Sequence, residues 1–326
     1  NPFNVLWIDS FGNITSSMMR PDANLMFTPN DGAGLNPLLR HPGMIIHPPM
    51  LYLGFVGFVI PYSFAIGALA VGRSDGVWIR ATRRWTLIAW LLLSLGLLLG
   101  GRWAYDVLGW GGYWGWDPVE IAAFMPWLTG TAFLHSVIIQ EKHGMFKRWN
   151  MILIILTYAL VIFGTFLTRS GVLSSVHAFA QSSIGPLFFI FITVTFTISL
   201  LLLFRGWESL ASSKTLTSWL SREGMFLLNN LLFMGILVAC FWGVIYPLIS
   251  EIITGQRVTV GPPFYERTTG PQFAALLLLM GIVPLVAWRI TTVNRIGHLI
   301  WKPTMISLLV PITSMISGTL NFAALL

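Results

Sequence analysis

Eight apolar stretches, separated by polar and glycine-rich segments, dominate the chain. They run over residues 50–70, 85–101, 119–140, 150–167, 186–204, 225–247, 273–290 and 304–326. Many are near the ~20 residues that carry a helix across a bilayer. Backbone in lipid must satisfy its own hydrogen bonds, which a helix does within one segment. The pattern therefore predicts an all-α, polytopic integral membrane helix bundle with about eight transmembrane helices. Ahead of the first stretch, RPDANLMFTPNDGAGLNPLLRHPG is rich in Pro, Asn and Gly. It predicts an irregular outer arm on the membrane surface, spanning residues 1–49 and ending at His47, followed by the bundle over 50–326. The opening residues NPFNVLWIDSFGN are neither basic nor continuously apolar, and the last stretch runs into the final residue. The expectation is a fragment of a longer protein.

Composition agrees with the pattern: 55% of residues are hydrophobic and 10% charged, far below the usual quarter charged. The net charge of +7 raises nucleic acid as a partner, and its distribution removes it. Of the 19 basic residues, 13 fall in the segments 71–84, 141–149, 205–224 and 289–303. The other six are Arg20, Arg40, Arg102, Arg169, Arg257 and Arg267, in the alternate segments. Alternation at every turn is the positive-inside pattern. It assigns 1–49, 102–118, 168–185 and 248–272 to the outer face. The single cysteine, Cys240, excludes an intrachain disulfide and a cysteine-built metal site.

One outer segment is unusual. Residues 110–120 read WGGYWGWDPVE. Trp110, Tyr113, Trp114 and Trp116 alternate with glycines that carry no side-chain bulk. Trp and Tyr gather at membrane interfaces in any case, but rings with gaps between them also make a shelf for a flat apolar ligand. Asp117-Pro118-Val119-Glu120 has the order of a helix N-cap with a capping box, and Asp117 is a candidate ligand contact as well.

Six histidines complete the candidate chemistry. His41 and His47 lie on the outer arm, and His177 lies in the outer segment 168–185. His143 and His298 fall in basic inner loops and read as solvated. His135 is the one ionisable residue in the interior of an apolar stretch, ~24 Å past Val119 in a core ~30 Å thick. Such a residue is a functional candidate, against the alternative of an interhelical hydrogen bond. Neutral imidazole ligates haem iron. His47, fixed by Pro48-Pro49, and His177 form a pair that would clamp a haem beside the aromatic shelf. Arg102 and Arg169 face outward and suit either haem propionates or lipid headgroups.

WGGYWGWDPVE closely resembles the tryptophan-rich "WWD" signature of the haem-handling proteins of cytochrome c maturation. NPLLRHPGMIIHPPMLYLGFVGF, WGWDPVEIAAFMPWLTGTAFLHS, FGTFLTRSGVLSSVHAF, SREGMFLLNNLLF and YPLISE are similar, in order, to the haem lyase subunits within that group. The resemblance implies that haem arrives on a covalent haem chaperone and is ligated outside by His47 and His177. It implies that the WWD segment, with Trp110, Trp114, Trp116 and Asp117, supports the porphyrin. A thiol-reducing partner subunit presents apocytochrome c, whose thiols add to the haem vinyl groups. A second, membrane-buried b haem, with His135 as one ligand and quinol as electron source, keeps the outer haem reduced. Its other ligand falls beyond residue 326. The implied location is the bacterial inner membrane, with the active face periplasmic. A haem transporter and a non-catalytic haem-binding scaffold are the rival readings. The absence of a carboxylate inside the apolar stretches argues against an ion-coupled transporter.

Overall fold

The computed structural model describes residues 5–17, 19–21, 24–28, 34–109, 111–170, 175, 184–212, 214, 216–288 and 292–316. It contains two compact units, Asn1–His41 and Pro42–Leu326. In the first, β1 (Val5–Ile8), β2 (Ile14–Ser17) and β3 (Leu25–Met26) form an antiparallel sheet of order β2-β1-β3. This corrects the irregular arm expected from composition. The β-branched and aromatic residues Val5, Trp7, Ile8 and Ile14 favour strands, but four-residue strands are too short to give a clear alternating signal. Asp9 sets the hairpin turn: its Oδ1 accepts the N–H groups of Phe11 and Asn13, each at 2.8 Å, the local bonding for which Asp is favoured in turns. Register pairs Val5 with Ser17 and Ile8 with Ile14.

The second unit is all-α. Its helices are α1 (Gly43–Gly57), α2 (Val59–Ala70), α3 (Val77–Val107), α4 (Pro118–His143), α5 (Lys147–Ser170), α6 (Gly185–Arg205), α7 (Arg222–Thr254), α8 (Pro262–Ile282) and α9 (Val293–Ile316). Counting α1 and α2 as one span, seven among the described residues are long and apolar enough to cross a membrane. The expected eighth span, 304–326, ends outside the described residues. Its described part belongs to α9, which starts earlier, at Val293.

Several helices outrun the apolar stretches that announce them. Hydropathy marks the part suited to lipid, whereas the helix continues until something breaks it. Helix α7 runs to Thr254 and stops where Gly255 turns left-handed at φ 69°, a conformation glycine adopts without strain. Helix α8 then starts at Pro262, where the missing N–H costs nothing. At the other end of the chain, α1 begins at Gly43, so His47 lies inside a helix.

Helix α4 occupies the centre. Ile121, Met125, Leu128 and Ala132 on it are fully buried, and it packs against α3, α5 and α7. Hydrogen bonds fix its neighbours. Trp90 Nε1 donates to Thr131 Oγ1 and Trp127 Nε1 to Ser94 Oγ, both at 2.8 Å, between α3 and α4. Asn150 Nδ2 donates to Gln140 Oε1 at 2.6 Å and Thr157 Oγ1 to Thr129 Oγ1 at 2.8 Å, between α4 and α5.

Helices α1 and α3 approach through glycine. A Cβ on Gly54 would stand 2.5 Å from the Leu93 nitrogen, and one on Gly96 would stand 2.8 Å from Leu51 Cα. Backbones this close require residues without side chains, as in small-residue helix interfaces in membranes. Gly67, on α2, has no atom within 4 Å of the corresponding position. Gly96→Ala should therefore destabilise the full-length protein by about 1–3 kcal/mol, the usual cost of overpacking. Gly67→Ala should be neutral or stabilising by up to about 1 kcal/mol through helix propensity. Thermal unfolding of the two variants in the same detergent checks this; equal midpoints would contradict the packing.

Candidate functional site

His47 sits in the α1–α3 seam, towards the C-terminal end of α3. Its Nδ1 lies 2.7 Å from the Gly96 carbonyl oxygen. A carbonyl only accepts, so Nδ1 carries the proton and the ring's lone pair sits on Nε2. Gly100 makes room for the ring: a Cβ there would stand 2.6 Å from His47 Cε1. Trp103 lies against the imidazole, with ring centroids 5.7 Å apart.

His47 lines a cavity of about 310 Å³ with Tyr52, Phe55, Trp103, Val119 and Arg169. Four helices build it: α1 supplies the histidine, α3 the tryptophan, α4 a wall with Val119, and α5 the arginine. Trp103 Nε1 is buried with no hydrogen-bond partner, which leaves a donor for an acceptor group entering the cavity. Nothing in the sequence singles out Trp103, because a single Trp at a helix end looks like an ordinary interface residue. Arg102 does not enter this cavity. Its Nε pairs with Asp106 at 3.1 Å and its side chain is largely exposed.

The segment after α3 folds back over that helix. Gly101 permits this, since a Cβ on it would stand 2.8 Å from the Tyr113 carbonyl oxygen. The rings then find partners of their own. Tyr113 stacks on Tyr105 at 4.5 Å, and Trp116 stacks on Tyr265 at 4.9 Å with planes 5° apart. Trp114 meets Trp116 and Phe124 edge-on. Trp114 and Trp116 line a separate hollow of about 710 Å³ with Trp90, Leu97, Trp127 and Phe273. The structure thus brings His47, Trp103 and Arg169 together, and sets Trp114 and Trp116 around a second hollow on the same α3–α4 pair.

Asp117 does two jobs. Its Oδ2 accepts the Val119 N–H at 3.0 Å, while Glu120 Oε2 accepts the N–H groups of Asp117 and Gly115 at 3.1 and 3.0 Å, completing a capping box. The same Asp117 Oδ2 accepts the Ser175 hydroxyl at 2.6 Å. The carboxylate that starts α4 thereby also holds Ser175, beyond the end of α5. His177 and Trp110 lie outside the described residues.

His135 sits in α4 facing α7. Its Nδ1 is 2.7 Å from the side-chain amide of Asn229, and Phe226 and Phe233 flank the ring at 5.5 and 6.0 Å. Asn230, next to Asn229, is buried with no partner for its Oδ1. His143 corrects the expectation of a solvated histidine. Its buried Nε2 lies 3.5 Å from Glu223 of α7, and Trp288 packs 5.4 Å from its ring. The loop after α4 is basic in composition, but the start of α7 and Trp288 pack over this position and cover most of the side chain.

Residues 5–174 match the family model described as cytochrome C assembly protein. The chain is 48% identical to the cytochrome c-type biogenesis protein CycK of Bradyrhizobium diazoefficiens, over 80% of this chain and 40% of that protein. It is 43% identical to the cytochrome c-type biogenesis protein CcmF of Pseudomonas aeruginosa, over 91% of this chain and 46% of the relative. A solved structure named cytochrome c heme lyase CcmF superposes with a TM-score of 0.64 at 41% identity, covering 78% of this chain and 38% of that one. The chain spans less than half the length of these relatives. A family match across the arm, the WWD segment and the first helices, joined to a shared fold at 41% identity, means that this chain belongs to the cytochrome c assembly protein family.

Proposed function

We propose that the chain is the haem-holding part of a cytochrome c haem lyase. Substrate haem is held at the outer end of the bundle, with His47 as one axial ligand and His177 as the other. The observation that carries this reading is the seating of His47: the Gly96 carbonyl fixes the tautomer that keeps the Nε2 lone pair, inside a cavity shared with Arg169. The residues fit the ligand's chemistry. Arg169 and the unpartnered Trp103 Nε1–H suit a propionate, while Tyr52 and Phe55 suit the porphyrin edge. The Asp117–Ser175 bond ties Ser175, two positions before His177 in the sequence, to the start of α4. Trp114 and Trp116 support the haem or its delivery from their adjoining hollow, and the same reading assigns Trp110 and Arg102 to haem binding.

A covalent haem chaperone delivers the haem, and a thiol-reducing partner presents apocytochrome c. Each thiol adds across one vinyl group: a sulfur–carbon bond forms, the thiol hydrogen goes to the neighbouring carbon, and no net oxidation occurs. The protein contributes position, holding the vinyl groups and thiols in reacting geometry. This puts the His47 end on the periplasmic face of the bacterial inner membrane, as the alternating basic loops require.

The same reading gives the bundle a b-type haem with His135 as one ligand. When bound, that group supplies electrons drawn from quinol. His135 would ligate through Nε2, with its Nδ1 2.7 Å from the Asn229 side-chain amide, a partner of the kind that orients ligating histidines. As placed, Asn229 Nδ2 donates to Nδ1; a half-turn of the amide would let its oxygen accept an Nδ1–H and leave the lone pair on Nε2.

His47→Ala should abolish cytochrome c maturation, measured as covalently attached haem, and leave the buried-haem spectrum intact. Gly100→Val should do nearly the same with the histidine present, because the new side chain takes the ring's place. Full maturation in both variants would rule out ligation by His47. Asn229→Leu should weaken retention of the buried haem about 10- to 100-fold, the usual effect of removing such a partner, and Asn229→Asp should restore it with a lower reduction potential. A haem content and potential unchanged in both would detach Asn229 from the site.

A further inference from the structure

The opposite ends of α3 and α4 enclose a hollow of about 1150 Å³ that the haem reading does not use. We propose that it binds an anionic phospholipid whose head carries two phosphodiesters. Arg80, Arg83, Arg84 and Lys142 line it, against the single carboxylate of Glu141. Glu141 lies 3.6 Å from Arg83, which offsets one cation of the four. The next carboxylate along the chain, Asp75, is held by Arg73 at 2.7 Å. Of the other three cations, Lys142 has its Nζ 4.6 Å from the Trp288 ring, which leaves Arg80 and Arg84 on α3 as two cations for the hollow. A single phosphodiester would neutralise one of them, whereas two linked phosphodiesters match the charge and its spread.

The rest of the lining fits a lipid better than a free ion. Leu87 and Ile138 form an apolar floor below the charged rim. Trp85, 52% exposed, stands between rim and floor, where tryptophan marks the headgroup level. Arg84 and Trp103 are 19 residues apart on α3, ~29 Å at helical rise, so rim and His47 cavity lie one hydrocarbon core apart. A head at the rim would accordingly place its acyl chains along α3 and α4. Basic pockets between membrane helices on the positively charged side are suited to such headgroups. This inference rests on α3 and α4 spanning the bilayer and is independent of the haem assignment.

Native mass spectrometry of the full-length protein, titrated separately with cardiolipin, phosphatidylglycerol and phosphatidylcholine, tests it. Cardiolipin should be retained most tightly, phosphatidylglycerol more weakly and phosphatidylcholine least. The Arg80→Gln/Arg84→Gln variant should bind cardiolipin about 25-fold more weakly, at about fivefold per basic residue. Arg205→Gln, an exposed inner cation outside the hollow, should bind as the parent does. Equal retention of all three lipids, or an unchanged double variant, would overturn the proposal. Displacement of cardiolipin by an equal concentration of inorganic pyrophosphate would also overturn it, by showing a site for free phosphate. Should the double variant fail to fold, the three-lipid series on the parent protein decides alone.

Discussion

The close crossing of α1 and α3 is the constraint on which the outer site depends. Gly54 and Gly96 remove the side chains that would separate the two backbones. Only at that separation does the Gly96 carbonyl reach the His47 imidazole at 2.7 Å. Gly100 then leaves the space the ring fills. In lipid, where apolar burial gives helices little reason to associate, close packing of this kind supplies much of the attraction. The contact that assembles the first two spans thus also fixes the tautomer and direction of the histidine. Stability and function share the same few atoms.

Asp117 ties a second pair of roles together. As N-cap it fixes where α4 begins, and α4 carries both the wall of the His47 cavity and His135. As acceptor for Ser175 it ties a residue beyond α5 to the same point. Removing the carboxylate would loosen the helix start and the tether at once, so its loss is expected to be costly even if it never touches a ligand. The aromatic WWD turn is organised in the same economical way. Its rings stack on Tyr105 and Tyr265, which makes the turn rigid before any ligand arrives.

Much of this was legible in the sequence because lipid is an exacting solvent. The apolar stretches located every span within the described residues, and the capping-box order at Asp117 marked the start of α4. His135 stood out because an ionisable group inside a span is costly. What the sequence hid is three-dimensional. Nothing in GMIIHPPML says that the helix starts before His47. Trp103 carries no signal until its N–H is seen buried and unpartnered beside the histidine. His143 looked solvated because basic neighbours describe a loop's composition, whereas burial is decided by Glu223 and Trp288 from distant segments. The short sheet near the start was masked by turn-forming residues around it. Helix ends were misjudged because hydropathy follows the bilayer and backbone bonding follows Gly255 and Pro262.

The central claim is that a seated His47 imidazole ligates haem at the outer cavity, and imidazole rescue tests it most directly. In His47→Gly, the notch beside Gly100 remains and the ligand is gone. Adding free imidazole to the full-length variant should restore a low-spin outer-haem spectrum, and with it covalent attachment of haem to apocytochrome c. In a His47→Gly/Gly100→Val double variant, where the notch is filled, imidazole should restore neither. Equal rescue with the notch open or filled, or a low-spin outer haem in His47→Gly without imidazole, would contradict the account.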